Sequence, residues 1–150
     1  MNPQLILPMY GIPATNKMVQ KIESELNIRL SGEYLKFIQE WGSLTLDGYY
    51  NPVLGTYSFN DSCIYWMIDE TLFCRKNGLE NNFIPVISID GGEYYCLDPS
   101  IDGNQPVFSW ETRLNRFLEK KSDSFFEFLW HAIEANVISH ARDSGTHVNH

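Results

Sequence analysis

Three carboxylates, Asp90, Glu93 and Asp98, fall within nine residues around the run Asp90-Gly91-Gly92-Glu93. Paired carboxylates divide acid and base work in glycoside hydrolysis, where one protonates the leaving oxygen while the other activates water or attacks the sugar. Backbone geometry explains the same residues without catalysis. Asp and Gly suit a turn that needs positive φ, and Glu93 faces water readily. An enzyme using these hairpin carboxylates is therefore kept only as an alternative. The four histidines all lie in the last twenty residues, and His131 and His140 are nine apart on one helical run, outside the i, i+4 spacing of a metal pair. His147 and His150 sit in a polar tail. The dinucleotide glycine motif, the P-loop, the nucleophile elbow, the HExxH pair and the EF-hand loop are all missing. No catalytic residue, cofactor or metal is expected.

Charge is more informative. The chain carries a net charge of −8, yet from Phe37 to Glu111 eleven acids stand against two bases, Arg75 and Lys76, a local net of −9. Such a segment disfavours direct binding to nucleic-acid phosphates and complements a cationic protein partner. Asp61, Asp69, Glu70, Asp90 and Glu93 are the candidate contributors to an acidic binding face. Solubility alone would also account for them.

These residues must be positioned by one core. A chain of 150 residues fits a single domain, 1–150, that buries roughly 70% of its unfolded surface. Aromatic residues make up 14% of it, and Trp41, Trp66, Trp110 and Trp130 are spread through the chain on periodic apolar positions, which points to packing. Cys63, Cys74 and Cys96 form no CxxC pair and leave an odd thiol, and no signal segment precedes them, so a reducing cytoplasm is expected. No apolar run approaches the ~18 residues of a membrane span.

The order of elements follows from punctuation and period. Residues 1–14, interrupted by three prolines and Gly11, form an arm or edge segment ahead of a core over about 15–140. From Thr15, Val19, Ile22 and Leu26 mark an amphipathic helix that Asn27 ends. Ser31 is expected to cap a second helix with a buried stripe of Tyr34, Phe37, Ile38 and Trp41, stopped by Gly42. Leu44 to Phe59 suggests one or two short strands, and a third helix carrying Trp66, Leu72 and Phe73 runs from Ser62 to about Asn77-Gly78. Phe83 to Ile89 has the apolar, β-branched character of a central strand. With Tyr94 to Leu97 and a strand opened by Pro106 and ending at Trp110, it makes a three-stranded meander. Thr112 to Lys121 is expected to be a polar, mobile approach to a last helix, which the capping box Ser124-Phe125-Phe126-Glu127 opens. Phe125, Phe128, Leu129, Ala132, Ile133 and Asn136 follow one face of that helix to about His140, and residues 141–150 fray.

Three of these stretches together resemble the SUKH superfamily, the Smi/Knr-like proteins. Leu30-Ser31-Gly32-Glu33-Tyr34-Leu35-Lys36-Phe37-Ile38 with Trp41-Gly42 is similar to that family's opening motif. Phe83-Ile84-Pro85-Val86, Asp90 to Asp98 and Pro106-Val107-Phe108-Ser109-Trp110 look like its central run, and Ser124 to Leu129 like its closing helix. Ser31 stands where the family usually has Pro, and Trp41-Gly42 where Asn-Gly is common. The resemblance implies an α+β domain with a largely antiparallel sheet packed by N-terminal and C-terminal helices. It also implies a non-catalytic protein-binding role, either immunity, in which the protein silences a toxin such as a nuclease, or regulation of cell-wall synthesis as a scaffold.

Overall fold

The turn chemistry at the middle of the chain sets the sheet. A computed structural model of the protein describes residues 9–10, 13–42, 44–45, 62–89, 92–113 and 116–135. Within them, β3 (Ile84–Ile89), β4 (Glu93–Leu97), β5 (Val107–Glu111) and β6 (Arg116–Ser122) form an antiparallel sheet in the order β3-β4-β5-β6. Ile89 pairs with Glu93 across the hairpin, whose tip, Asp90-Gly91, lies outside the described residues. Gly92 has φ 87°, and a Cβ there would lie 2.6 Å from Thr112 Oγ1, so the residue's permissive backbone is required. Thr112 closes the corner by donating its amide and hydroxyl to the Gly92 carbonyl, at 3.0 and 3.1 Å.

Two expectations about this sheet are corrected. β3 is an edge strand among the described residues, although Ile84, Val86 and Ile87 are buried. Its register shifts between Pro85 and Ile87, and an edge with a bulge tolerates the missing Pro85 N–H. The apolar run signalled burial, which helix α3 (Ser62–Lys76) helps to provide by packing on β3, rather than a central place in the ladder. The supposed polar approach from Thr112 to Lys121 folds instead largely as β6, paired with β5 through two register shifts. Ser109 Oγ accepts the Glu119 amide at 3.2 Å between those strands. Charged residues are tolerated on an edge strand, which is why the composition concealed one.

The helices keep their expected places. In α1 (Asn16–Leu26), Thr15 Oγ1 accepts the Met18 amide at 3.2 Å, and Asn27, at φ 52°, ends the helix. Its buried side chains are Val19, Ile22 and Leu26. In α2 (Gly32–Glu40), Tyr34, Phe37 and Ile38 are buried, and Gly42 has φ 77°. Trp41 does not join that stripe. It is the C-cap residue, 36% exposed, with its ring edge-on to Phe37 at 6.0 Å. In α3 the buried stripe is Met67, Ile68, Thr71 and Cys74, while the apolar Leu72 and Phe73 face solvent. A final helix, α4, spans 125–135, with Phe125, Leu129 and Ala132 buried. Ahead of these, β1 (Met9–Tyr10) pairs with β2 (Leu44–Thr45), so part of the N-terminal arm is an edge segment. The remaining expectations for 46–61 and 136–150 fall outside the described residues.

Most of the core lies between the helices and one face of the sheet, where Tyr34, Phe37 and Phe125 meet Ile84, Leu97 and Val107. A smaller cluster of Cys74, Leu79, Tyr94, Cys96 and Trp110 occupies the other face. Two buried polar side chains lock the start of α2 to the loop between β4 and β5 and to the start of α4. Gln105 accepts the Tyr34 amide at 2.7 Å and donates to the carbonyls of Ser31, Pro99 and Ile101. Glu33 accepts from the amides of Gln105, Phe125 and Phe126 and from the Ser124 hydroxyl. The capping box is therefore half formed. Ser124 Oγ accepts the Glu127 amide at 3.2 Å, but the acid at the start of α4 is Glu33. Ser31 likewise makes no side-chain cap; the first turn of α2 is satisfied by Gly103 and Gln105.

Candidate partner-binding surface

Helix α3 projects Asp69, Leu72, Phe73 and Lys76 at i, i+3, i+4 and i+7, which places them on one stripe. All four are exposed, Leu72 at 44% and Phe73 at 50%. Large apolar side chains beside a carboxylate on a solvent face are the composition of a protein contact rather than of a core. Glu70, next to Asp69, is half-buried and accepts the Tyr94 hydroxyl at 2.5 Å. That bond ties α3 to β4. Burial first, and then the Glu70 bond, raise the Tyr94 hydroxyl well above its ordinary range. The Cys74 thiol is pushed up to about 12, mainly by burial, with the Glu70 charge adding to it.

The remaining acidic candidates are placed differently. Strand alternation puts Glu93 on the face opposite Tyr94, near Lys121, whose pKa is raised first by its bond to Glu119 and last by the Glu93 charge. Asp69 thus faces solvent while its neighbour Glu70 turns in to β4, and Glu93 lies across the sheet from Glu70. Asp61 and Asp90 lie outside the described residues. Asp98 is held in its turn by Ser100 and by Asn82 Nδ2. Glu93 and Asp98 stand at the two ends of β4, five residue steps or roughly 16 Å apart at strand rise, too far for the paired-carboxylate geometry.

Sequence reasoning missed a second surface. Lys36, Phe37, Glu40, Trp41, Phe126, Leu129, Trp130 and Ile133 line a groove of about 310 Å³ between α2 and α4. Of its apolar walls, Trp130 is the most exposed, at 62%. The signal was present in the helical spacing, because Trp130 falls off the apolar face that Phe125, Leu129 and Ala132 define. His131 lies 3.7 Å from Glu127 and 3.5 Å from Glu134, an exposed cluster on one helix. No group of three metal-binding side chains occurs among the described residues, and no described helix is long and apolar enough to cross a membrane.

An antiparallel sheet with helices packed against it defines an α+β domain, and its helical surface presents apolar side chains beside charges. Residues 7–134 match the model of the SUKH family described as SMI1-KNR4 cell-wall, and the chain belongs to that family. No curated protein matches the chain.

Proposed function

We propose that this chain is a non-catalytic binding protein of the immunity type, which neutralises a cationic bacterial toxin domain by covering its active surface. The observation that carries this reading is the α3 stripe, where Asp69 flanks the exposed Leu72 and Phe73. A nuclease domain, built to hold phosphates, presents the complementary positive field. Phe73 and Leu72 act as the apolar anchor, Asp69 as the charged contact, and Glu70, Glu93, Asp61 and Asp90 as contributors to the longer-range field. The protein acts in the cytoplasm, where an incoming toxin would be met.

The cell-wall description of the matching family favours a second reading, a scaffold that regulates wall synthesis through protein contacts. Co-purification separates the two. Under the immunity reading, the tagged chain captures the product of the immediately preceding gene and abolishes its toxicity in co-expression. Capture of a wall-synthesis component, with no protection against the neighbouring product, would replace the first reading by the second.

A further inference from the structure

The groove between α2 and α4 differs in kind from the α3 stripe. It is a concavity of about 310 Å³, lined by the buried Phe37 and Leu129 and by the exposed Trp41, Phe126 and Trp130. Its surroundings are acidic. Glu127 and Glu134 stand three residues before and four after Trp130, so both neighbour that side chain on the surface of α4, and Glu40 lines the groove from α2. Against these three exposed carboxylates stands one ammonium in the lining, Lys36. Among the described residues Glu40 enters no ion pair, and Glu127 and Glu134 meet only the histidine between them, His131, at 3.7 and 3.5 Å.

Charge and spacing together select an occupant. An acidic segment, a second copy of this acidic chain or an anionic lipid surface would meet like charge along the α4 edge, whereas Lys and Arg would be drawn to it. The α4 lining, Phe126, Leu129, Trp130 and Ile133, repeats at i, i+3, i+4 and i+7, and Glu127 and Glu134 are two turns apart, roughly 10 Å along the axis. A helix laid along α4 has the same repeat, so apolar residues on one of its faces enter the groove while basic residues two turns apart reach both carboxylates. An extended strand covers that distance in about three residues and turns alternate side chains away. We infer that the α2/α4 groove binds a basic amphipathic helix of a partner protein, with Trp130 as the apolar contact and Glu127 and Glu134 as the charge that selects it. This site is additional to the α3 surface and does not depend on it.

Fluorescence anisotropy of three labelled synthetic peptides, titrated with the full chain, tests this. The first carries Leu at i, i+3, i+4 and i+7 flanked by Lys, the second has Glu in place of Lys, and the third scrambles the first, keeping its charge and losing its stripe. The first should bind, and the other two should bind roughly tenfold more weakly or worse. Trp130→Ala should raise the first peptide's Kd roughly tenfold or more. Joint Glu127→Lys and Glu134→Lys should reverse the preference, making the Glu peptide the tighter ligand. All three positions are exposed, so these variants keep the fold. Phe73→Ala should leave the first peptide's affinity unchanged. No binding of the Lys peptide up to about 1 mM overturns the inference. So does equal binding of the scrambled peptide, which would reduce the contact to charge alone. Binding lost in Phe73→Ala but kept in Trp130→Ala would put the peptide on α3 and overturn it as well. Sedimentation velocity covers the remaining occupant, because a wild-type dimer that Trp130→Ala dissolves would make a second copy the occupant and the partner helix wrong.

Discussion

Glu33 Oε1 accepts the backbone amide of Phe125 at 2.9 Å, across ninety-two positions of sequence. One carboxylate in the first turn of α2 thereby supplies the negative charge at the N-terminus of α4, where amides point outward without intrahelical partners. With the Gln105 amide on the same oxygen and Ser124 and Phe126 on the other, a buried carboxylate has four donors.

Replacing it should be expensive. Glu33→Gln keeps the shape but sets an NH2 group against donors, so it should cost about 2–3 kcal/mol. Ser124→Ala, which loses one cap and one donor to Glu33, should cost about 1–2 kcal/mol. Denaturant unfolding measures both. A Glu33→Gln loss below about 1 kcal/mol would show that the four bonds do not support the fold as described.

Leu129 is 3% exposed in the main core. Leu129→Ala should cost about 2–5 kcal/mol by leaving a cavity beneath α4. The same substitution at the exposed Leu72 should change stability by less than about 0.5 kcal/mol. Near-equal losses would mean that α3 and α4 had been assigned the wrong faces.

Stability should fall in alkali. Burial raises the Cys74 thiol from an ordinary 9.0 to about 12 and raises Cys96 and Tyr94 in the same direction. Between about pH 9 and pH 12 the folded chain keeps protons that the unfolded chain has released, so the unfolded state binds fewer protons and stability decreases as pH rises. Below about pH 9 the effect is absent. Unfolding free energies measured from pH 8 to 10.5 should decline, and Cys74→Ser should flatten the decline. In the native protein at pH 8, peptide mapping should find Cys74 and Cys96 unalkylated until denaturant is added. A slope independent of pH, unchanged by the substitution, would contradict this placement.

On the proposed partner surface, charge and anchor should separate kinetically. Asp69→Lys should slow association roughly threefold or more at low ionic strength, with the effect vanishing in high salt. Phe73→Ala should leave association alone and speed dissociation roughly tenfold or more. Glu70 is unsuitable for this test, because its substitution strands the Tyr94 hydroxyl and confounds binding with folding. Unchanged rates in both variants, measured against the captured partner, would remove α3 from the interface.

Much of the fold was legible because local signals agreed with the tertiary ones. Thr15 and Asn27 bound α1, Gly42 ends α2, and Gly92 takes the positive φ at the hairpin. The sequence could not show Glu33 reaching Phe125, or Gln105 gathering three carbonyls, because a side chain's distant partners leave no local pattern. β6 was concealed by its own charges. The acidic segment was readable as composition, but only the helix and strand periods together reveal that Glu70 and Glu93 are on opposite sides of the sheet. Leu72 and Phe73 face outward although they are apolar, because their helical phase against Met67 and Thr71 turns them away from the sheet.

The last strand of the sheet has a consequence for how the protein survives at high concentration. Along β6, Lys121 pairs with Glu119, and Lys120 with Asp123 just beyond the strand. A foreign strand seeking to extend the ladder would have to strip water from these ammonium groups and carboxylates before gaining a single amide bond. The charges that hid this element therefore also guard it against templated stacking into fibrils.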